Sequence, residues 1–152
     1  MIARRTLFAA VALAVCAAPL RQLRAAIGSA PPSATIAAFY DALLATMKAG
    51  AAIGFVGRSE RLAPAIRRAF DLPLMTRLMV GPQWQSLTPE QQQQLVAAFS
   101  EFSIATYANR FDDYSGERFE VDPTSTATGN GVIVHTRLIK TDGEAVSLDY
   151  LM

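Results

Sequence analysis

Few side chains in this sequence have the types and spacing that catalysis or metal binding requires. The chain carries a single histidine, His135, and a single cysteine, Cys16. A nucleophile needs a general base beside it, and a zinc site needs several histidine or cysteine ligands. These counts exclude the usual zinc sites, an internal disulfide and most nucleophilic mechanisms, and they predict no cofactor.

The acidic side chains offer only two candidates for general acid or base chemistry. Asp112 and Asp113 adjoin each other at a polar helix end, which is typical of a solvated cap. Asp41 and Glu101 lie on amphipathic helical stretches among apolar neighbours. Either could be a lone buried acid, and solvated helix surface is the alternative interpretation of both.

A predicted β-hairpin near the end of the chain places two basic groups among apolar ones. With a two-residue loop at 142–143, His135 faces Tyr150 and Arg137 faces Leu148. One interpretation is a polar mouth to an apolar cavity, where His135 and Arg137 contact an anionic head group. In the other interpretation, the ring nitrogens of His135 have hydrogen-bond partners within the protein, and Arg137 extends to solvent at the sheet margin.

The first 28 residues have the pattern of an export signal. A basic start with Arg4 and Arg5 precedes the mostly apolar stretch 6–20, which is too short to span a membrane comfortably. The paired arginines leave a twin-arginine route open beside general secretion. A retained N-terminal anchor is the alternative. Cys16 follows a valine rather than a small residue, so we interpret it as part of the apolar stretch and not as a lipidation site.

The composition and the charge balance exclude a further class of function. The 152 residues are 51% hydrophobic and 18% charged, with 14 basic and 13 acidic side chains. This balance argues against a non-specific nucleic-acid binder. Removing residues 1–28 leaves 10 basic and 13 acidic groups and no cysteine, which fits a domain exported to the periplasm.

Helical patterns precede strand patterns along the chain. We expect helices from Ser33 to Gly50, over 59–70, from Asp71 to the Gly-Pro pair at 81–82, and over 89–110, the last with a capping box at its start. Strands are expected over 119–121, 132–140 and 145–152, with turns at 122–123, 129–131 and 141–144. Helices first and antiparallel strands last predict an α+β fold with a helical layer on a twisted sheet.

Residues 29–152 therefore form one predicted domain. Its last strand, 145–152, presents an apolar free edge, which is an aggregation liability. We therefore expect this sequence to be a shortened form of a longer chain.

Several short segments resemble one family in their order and spacing. The sequence is similar to the MlaC/toluene-tolerance family of periplasmic lipid-binding proteins from about residue 36 to 152. Its residues 111–121 and 150–152 are most similar to the hopanoid-biosynthesis-associated HpnM branch. The segments that carry the resemblance are 55–58, 61–64, 70–75, 81–84, 87–91, 99–102, 106–108 and 111–117.

The resemblance implies a fold that encloses an apolar cavity for acyl chains, and a carrier without catalytic activity. It also implies a further C-terminal strand and helix after residue 152, so we expect the given form to be less soluble and a poorer lipid binder than an extended form. Its implied partners are a phospholipid or hopanoid-type lipid, an inner-membrane ABC transporter and an outer-membrane lipoprotein complex. A non-catalytic adaptor that binds protein, and an enzyme acting on an apolar ligand, are the alternatives. We expect the cavity to be lined by Phe39, Leu43, Met47, Leu74, Leu78, Phe99, Phe102, Val146, Leu148 and Tyr150.

Overall fold

Helices fill the first half of the domain and a three-stranded sheet fills the second. The computed structural model describes residues 30–152, and the predicted signal over 1–28 lies outside them. The elements are α1 (Pro32–Ala69), α2 (Leu72–Val80), a 3₁₀ helix (Gly81–Ser86), α3 (Pro89–Arg110), β1 (Arg118–Thr128), β2 (Gly131–Ile139) and β3 (Ala145–Leu151). The predicted α+β class is confirmed.

Helix α1 is continuous apart from a kink. Gly50 and Gly54 have φ of 48° and 60°, outside the helical region, whereas the residues on either side are helical. Glycine tolerates this backbone because it lacks a Cβ atom. The helical backbone is therefore broken at Gly50, where the sequence predicts a helix end, and it resumes after Gly54, before the predicted start at residue 59. The first helical residue is Pro32 rather than the predicted Ser33, and no side chain caps this end.

By length and composition, α1 is apolar enough to cross a membrane. The core helix of a soluble protein passes the same test, and here α1 packs against α3 and the sheet. Its buried side chains include Ile36, Phe39 and Leu43. We therefore interpret α1 as the central core helix of the domain.

The two following helices begin as their sequences predict. The Asp71 carboxylate accepts a hydrogen bond from the backbone N–H of Leu74 at the start of α2. At the start of α3, Thr88 and Gln91 form a reciprocal capping box. Caps of this kind satisfy N–H groups that have no partner in the first turn.

The sheet is antiparallel, with β2 between β1 and β3. Strand β1 is longer than the predicted strand 119–121, since it continues through the Asp-Pro pair that had indicated a turn. Its register with β2 shifts between Val121 and Ser125. A bulge accommodates Pro123, which has no N–H to donate to the ladder.

The predicted register of the last hairpin is wrong by one residue. Thr136 pairs with Leu148, and His135 pairs with Asp149. The loop has three residues rather than two, because Lys140 and Glu144 are joined by a backbone hydrogen bond and Gly143 has a φ of 88°. A shift of one residue moves a strand's side chains to the opposite face of the sheet relative to its partner.

The core lies where α1 meets α3 and the inner face of the sheet. One charged side chain, Arg58, is only 8% exposed. Its Nε donates to the Ala108 carbonyl at 2.7 Å and its Nη1 donates to the Gly50 carbonyl at 3.3 Å. Arg58 thereby joins the kink of α1 to the last turns of α3, whose terminal carbonyls attract a positive charge.

Candidate functional site

An apolar cavity of about 320 Å³ lies between the helices and the sheet. Helices α1 and α3 form one side, and strands β1 and β3 form the other. The lining residues are Tyr40, Leu43, Thr106, Tyr107, Arg110, Phe111, Phe119, Leu148 and Tyr150. A volume of this size lies at the lower end of the range of about 300–1,000 Å³ for small-molecule sites.

A short hydrogen-bond network fixes one wall of the cavity. The Tyr40 hydroxyl lies 2.6 Å from Thr136 Oγ1 and 3.0 Å from the Tyr150 hydroxyl. Thr136 Oγ1 also lies 2.6 Å from the Leu148 carbonyl, to which it can donate. The hydroxyl groups of this wall are therefore hydrogen-bonded within the wall itself. Aromatic rings, and not free hydroxyls, face the cavity.

Aromatic rings hold this wall and the facing helix in fixed positions. The Tyr40 ring stacks on Phe119, with 4.3 Å between their centroids, and the Tyr107 ring stacks on Phe111 at 5.6 Å. Phe39 meets Tyr107 edge to face at 5.4 Å. Aromatic pairs of this geometry add stability beyond the apolar area that they bury.

The phenols of the cavity are neutral at physiological pH. Burial raises the pKa of Tyr107 above its ordinary value, with a smaller contribution from Tyr40. Burial also raises the pKa of Tyr150, and its hydrogen bond with Tyr40 acts in the same direction. The walls therefore offer no negative charge to a ligand.

Arg110 is the one charged side chain that lines this cavity. It occupies the last turn of α3 and is exposed. It forms no ion pair within the described part of the chain, although Asp112 and Asp113 follow it in sequence. The cavity thus combines an apolar interior with one unpaired positive charge at its solvent-facing side.

The structure divides the ten predicted cavity residues into three groups. Leu43, Leu148 and Tyr150 line the cavity. Phe39 and Met47 are buried in the core beside it, and Val146 is half-buried on the sheet face that carries Leu148. The remaining four, from α2 and α3, lie away from it; they are Leu74, Leu78, Phe99 and Phe102.

Phe99 and Phe102 belong to a second apolar surface, formed where α2 crosses α3, whereas Leu74 and Leu78 line neither site. A shallow groove of about 280 Å³ is lined by Phe99 and Phe102 of α3 together with residues of α2. Phe102 is 68% exposed, and Leu78 on α2 is 70% exposed. The α2 helix buries Leu72 and Thr76 instead, so the apolar periodicity of α2 did not identify its buried side.

The groove and the cavity adjoin along α3. Phe102 lines the groove, while Thr106 and Arg110 line the cavity at successive steps of four residues. Residues four apart share one face of a helix, and the Thr106 hydroxyl donates to the Phe102 carbonyl at 2.8 Å. One face of α3 therefore runs from an apolar groove through the cavity to Arg110.

His135 and Arg137 lie on the outer face of the sheet, opposite the cavity. His135 contacts Asp149 at 3.0 Å and Thr126 at 2.9 Å, and Arg137 donates to Glu120 at 2.9 Å. The register described above accounts for this position, because Thr136 and Val134 are the β2 residues that face inward. The structure does not bring His135 and Arg137 together with the predicted cavity residues.

The candidate acids are both on the surface. Asp41 is exposed, and Glu101 is exposed and accepts a hydrogen bond from Arg67 at 3.0 Å. Among residues 30–152 no group of three or more acidic, histidine or cysteine side chains could hold a metal ion. The solvated-surface interpretation of Asp41 and Glu101 is confirmed.

Sequence reasoning missed six of the nine lining residues, among them Tyr40 and Arg110. Tyr40 belongs to the apolar stripe of α1, and its position there gives no sign of its contact with Thr136, which is 96 residues away. Arg110 is followed by two acidic residues, which made the end of α3 look like a plain solvated cap. Only the three-dimensional arrangement brings these side chains to one cavity.

These features define an α+β protein that holds an apolar cavity between a helical layer and an antiparallel sheet. The family model described as MlaC protein matches residues 37–152, so the chain belongs to the MlaC family. The chain is also similar to a solved structure of a phospholipid-binding protein from Ralstonia solanacearum in complex with a phospholipid. The two are 28% identical, with a TM-score of 0.62, and the match covers 80% of this chain and 69% of the other. Among curated proteins there is no match.

Proposed function

We propose that this protein binds a phospholipid and carries it across the aqueous space between two membranes. The observation that carries the proposal is the apolar cavity lined by Leu43, Leu148 and Tyr150. Membership of the MlaC family and the phospholipid complex of the Ralstonia protein support it.

The energetics of lipid transfer explain why such a cavity is useful. A two-chain lipid with about 30 methylene groups exposes apolar surface worth roughly 24 kcal/mol when it crosses water unaided. The cavity of about 320 Å³ relieves part of this cost, and the adjoining groove of about 280 Å³ offers further apolar surface along the same face of α3. In the proposed complex, acyl chains occupy both.

The proposed setting is the periplasm, where the protein acts as the soluble component of an ABC-transporter system. The basic and apolar pattern of residues 1–28 supports export. The inner-membrane transporter and an outer-membrane lipoprotein complex are the proposed partners by family resemblance. A hopanoid-type lipid is the proposed cargo if the chain belongs to the HpnM branch.

We infer a binding role rather than a catalytic one. Asp41 and Glu101 are solvent-exposed and lie outside the cavity lining. Most side chains of the cavity walls are aromatic or aliphatic, and the lining contains no carboxylate, histidine or cysteine that could act as a general base or a nucleophile.

A transfer assay tests the carrier proposal. Donor vesicles contain a fluorescent phosphatidylcholine and a quencher, and acceptor vesicles contain neither. The proposal predicts that the protein accelerates the appearance of fluorescence in proportion to its concentration. Fluorescence that rises no faster than in a protein-free sample contradicts carriage.

A further inference from the structure

We propose that Arg110 selects lipids with an anionic group next to the acyl chains, because it is the one charged side chain lining an otherwise apolar cavity. This inference rests on the proposed phospholipid binding and adds the side chain that recognises the anionic group. The group recognised is a phosphate or another oxyanion at the cavity opening.

The composition of the cavity supports the selection of an anion. Its lining contains no carboxylate, and burial holds the Tyr107 and Tyr150 phenols in the neutral form by raising the pKa of each. A ligand tail therefore meets only apolar and aromatic surface. At Arg110 the same ligand meets a guanidinium, which binds phosphate oxygens through two parallel hydrogen bonds.

The surroundings of Arg110 leave its charge available. The four ion pairs between described residues are Arg67 with Glu101, His135 with Asp149, Arg137 with Glu120, and Lys140 with Glu144. Arg110 takes part in none of them. Its exposed position lets the head group of a lipid remain in water while the tails enter the cavity.

The position of Arg110 along α3 also fits an extended lipid. Phe102, Thr106 and Arg110 follow one another at steps of four residues on one helix face. At 1.5 Å per residue, Phe102 and Arg110 are about 12 Å apart along the axis. A tail that starts at Arg110 can therefore continue past Thr106 toward the groove.

The test compares two lipids with the same acyl chains, the anionic phosphatidic acid and the neutral diacylglycerol. Each is titrated into delipidated full-length protein, and the intrinsic fluorescence of the tyrosines reports binding. We expect phosphatidic acid to bind about tenfold more tightly, as one charge-assisted contact predicts. The preference weakens as salt is added.

Variants assign the preference to one side chain. Arg110→Gln should lower the ratio of the phosphatidic acid affinity to the diacylglycerol affinity to about one, and Arg110→Lys should retain part of the preference. The matched control is Arg77→Gln, which alters an exposed arginine in the last turn of α2, outside the cavity lining, and should change neither affinity.

The outcomes separate this inference from the proposed function. Equal binding of both lipids by the wild type, or a preference that survives Arg110→Gln, overturns the inference alone. A preference that Arg77→Gln removes equally also overturns it, because the effect would then be one of overall charge. Failure of the wild type to bind either lipid overturns lipid binding and the inference together.

Discussion

The hydroxyl of Tyr40 on α1 lies 2.6 Å from the hydroxyl of Thr136 on β2, and this contact joins the central helix to the middle strand of the sheet. Both residues are buried. Because the Tyr40 hydroxyl also lies 3.0 Å from the Tyr150 hydroxyl on β3, one phenol links the helical layer to two strands. The cavity is the space beside this joint.

Removal of the Tyr40 hydroxyl should weaken the connection between α1 and the sheet without collapsing the cavity. We expect Tyr40→Phe to lower the free energy of unfolding by about 1–2 kcal/mol, since it removes two hydrogen bonds and keeps the ring. Thr136 retains the Leu148 carbonyl as a partner. Urea unfolding measures the change. Tyr114→Phe is the control, because the Tyr114 hydroxyl has no hydrogen bond within residues 30–152, and an equal loss in both variants would contradict the account.

The buried Arg58 should contribute more to stability than any exposed arginine. We expect Arg58→Met to cost about 2–4 kcal/mol, because two buried carbonyls lose a charged donor. Arg61 lies about one turn further along α1 and is exposed. Arg61→Met should change the free energy of unfolding by less than about 0.5 kcal/mol. Both are measured by urea unfolding, and similar values for the two variants would show that the Arg58 contacts are not structural.

Filling the cavity should displace lipid. Leu148→Trp places an indole in the cavity and should reduce bound lipid severalfold while costing about 1–3 kcal/mol from overpacking. The neighbouring Ser147 is exposed and pairs with Arg137 on the outer face, so Ser147→Trp adds the same indole away from the cavity. Quantitative lipid analysis of both purified variants provides the comparison. Full lipid content in folded Leu148→Trp protein would show that this wall is assigned wrongly.

Export should depend on the N-terminal segment. Residues 1–30 fused to a reporter that is active only outside the cytoplasm should produce reporter activity. Replacing Arg4 and Arg5 by lysine should abolish that activity if the twin-arginine route is used and leave it intact if general secretion is used. A reporter that stays inactive with the native segment contradicts the periplasmic proposal.

Local sequence signals predicted the helices well where a specific side chain sets the boundary. The capping box of Thr88 and Gln91 located α3, and Asp71 located α2, because each supplies an acceptor to nearby N–H groups. The sequence predicted the break in α1 at Gly50, but not that the helix resumes as early as the residues after Gly54. A glycine is compatible with both a helix end and a kink, and packing against α3 decides between them.

The cavity was predicted less completely, for a reason that one residue illustrates. Gly143 adopts a φ of 88° and extends the hairpin loop to three residues. Asp-Gly pairs occur in both two-residue and three-residue loops. The shorter loop would pair His135 with Tyr150 and Arg137 with Leu148. The observed loop pairs them with Asp149 and Ser147 instead. The loop length decides which side chains of β2 and β3 lie on the same face of the sheet. The alternation of apolar and polar residues is compatible with both lengths.

The central claim is that the cavity holds lipid, and extraction of the purified protein with organic solvent tests it most directly. The protein is purified without detergent, extracted, and the extract is quantified by mass spectrometry against the protein concentration. The account predicts near-equimolar phospholipid in the wild type, severalfold less in Leu148→Trp, and wild-type content in Ser147→Trp. An extract of the folded wild type that contains no lipid, or equal lipid in all three proteins, would contradict it.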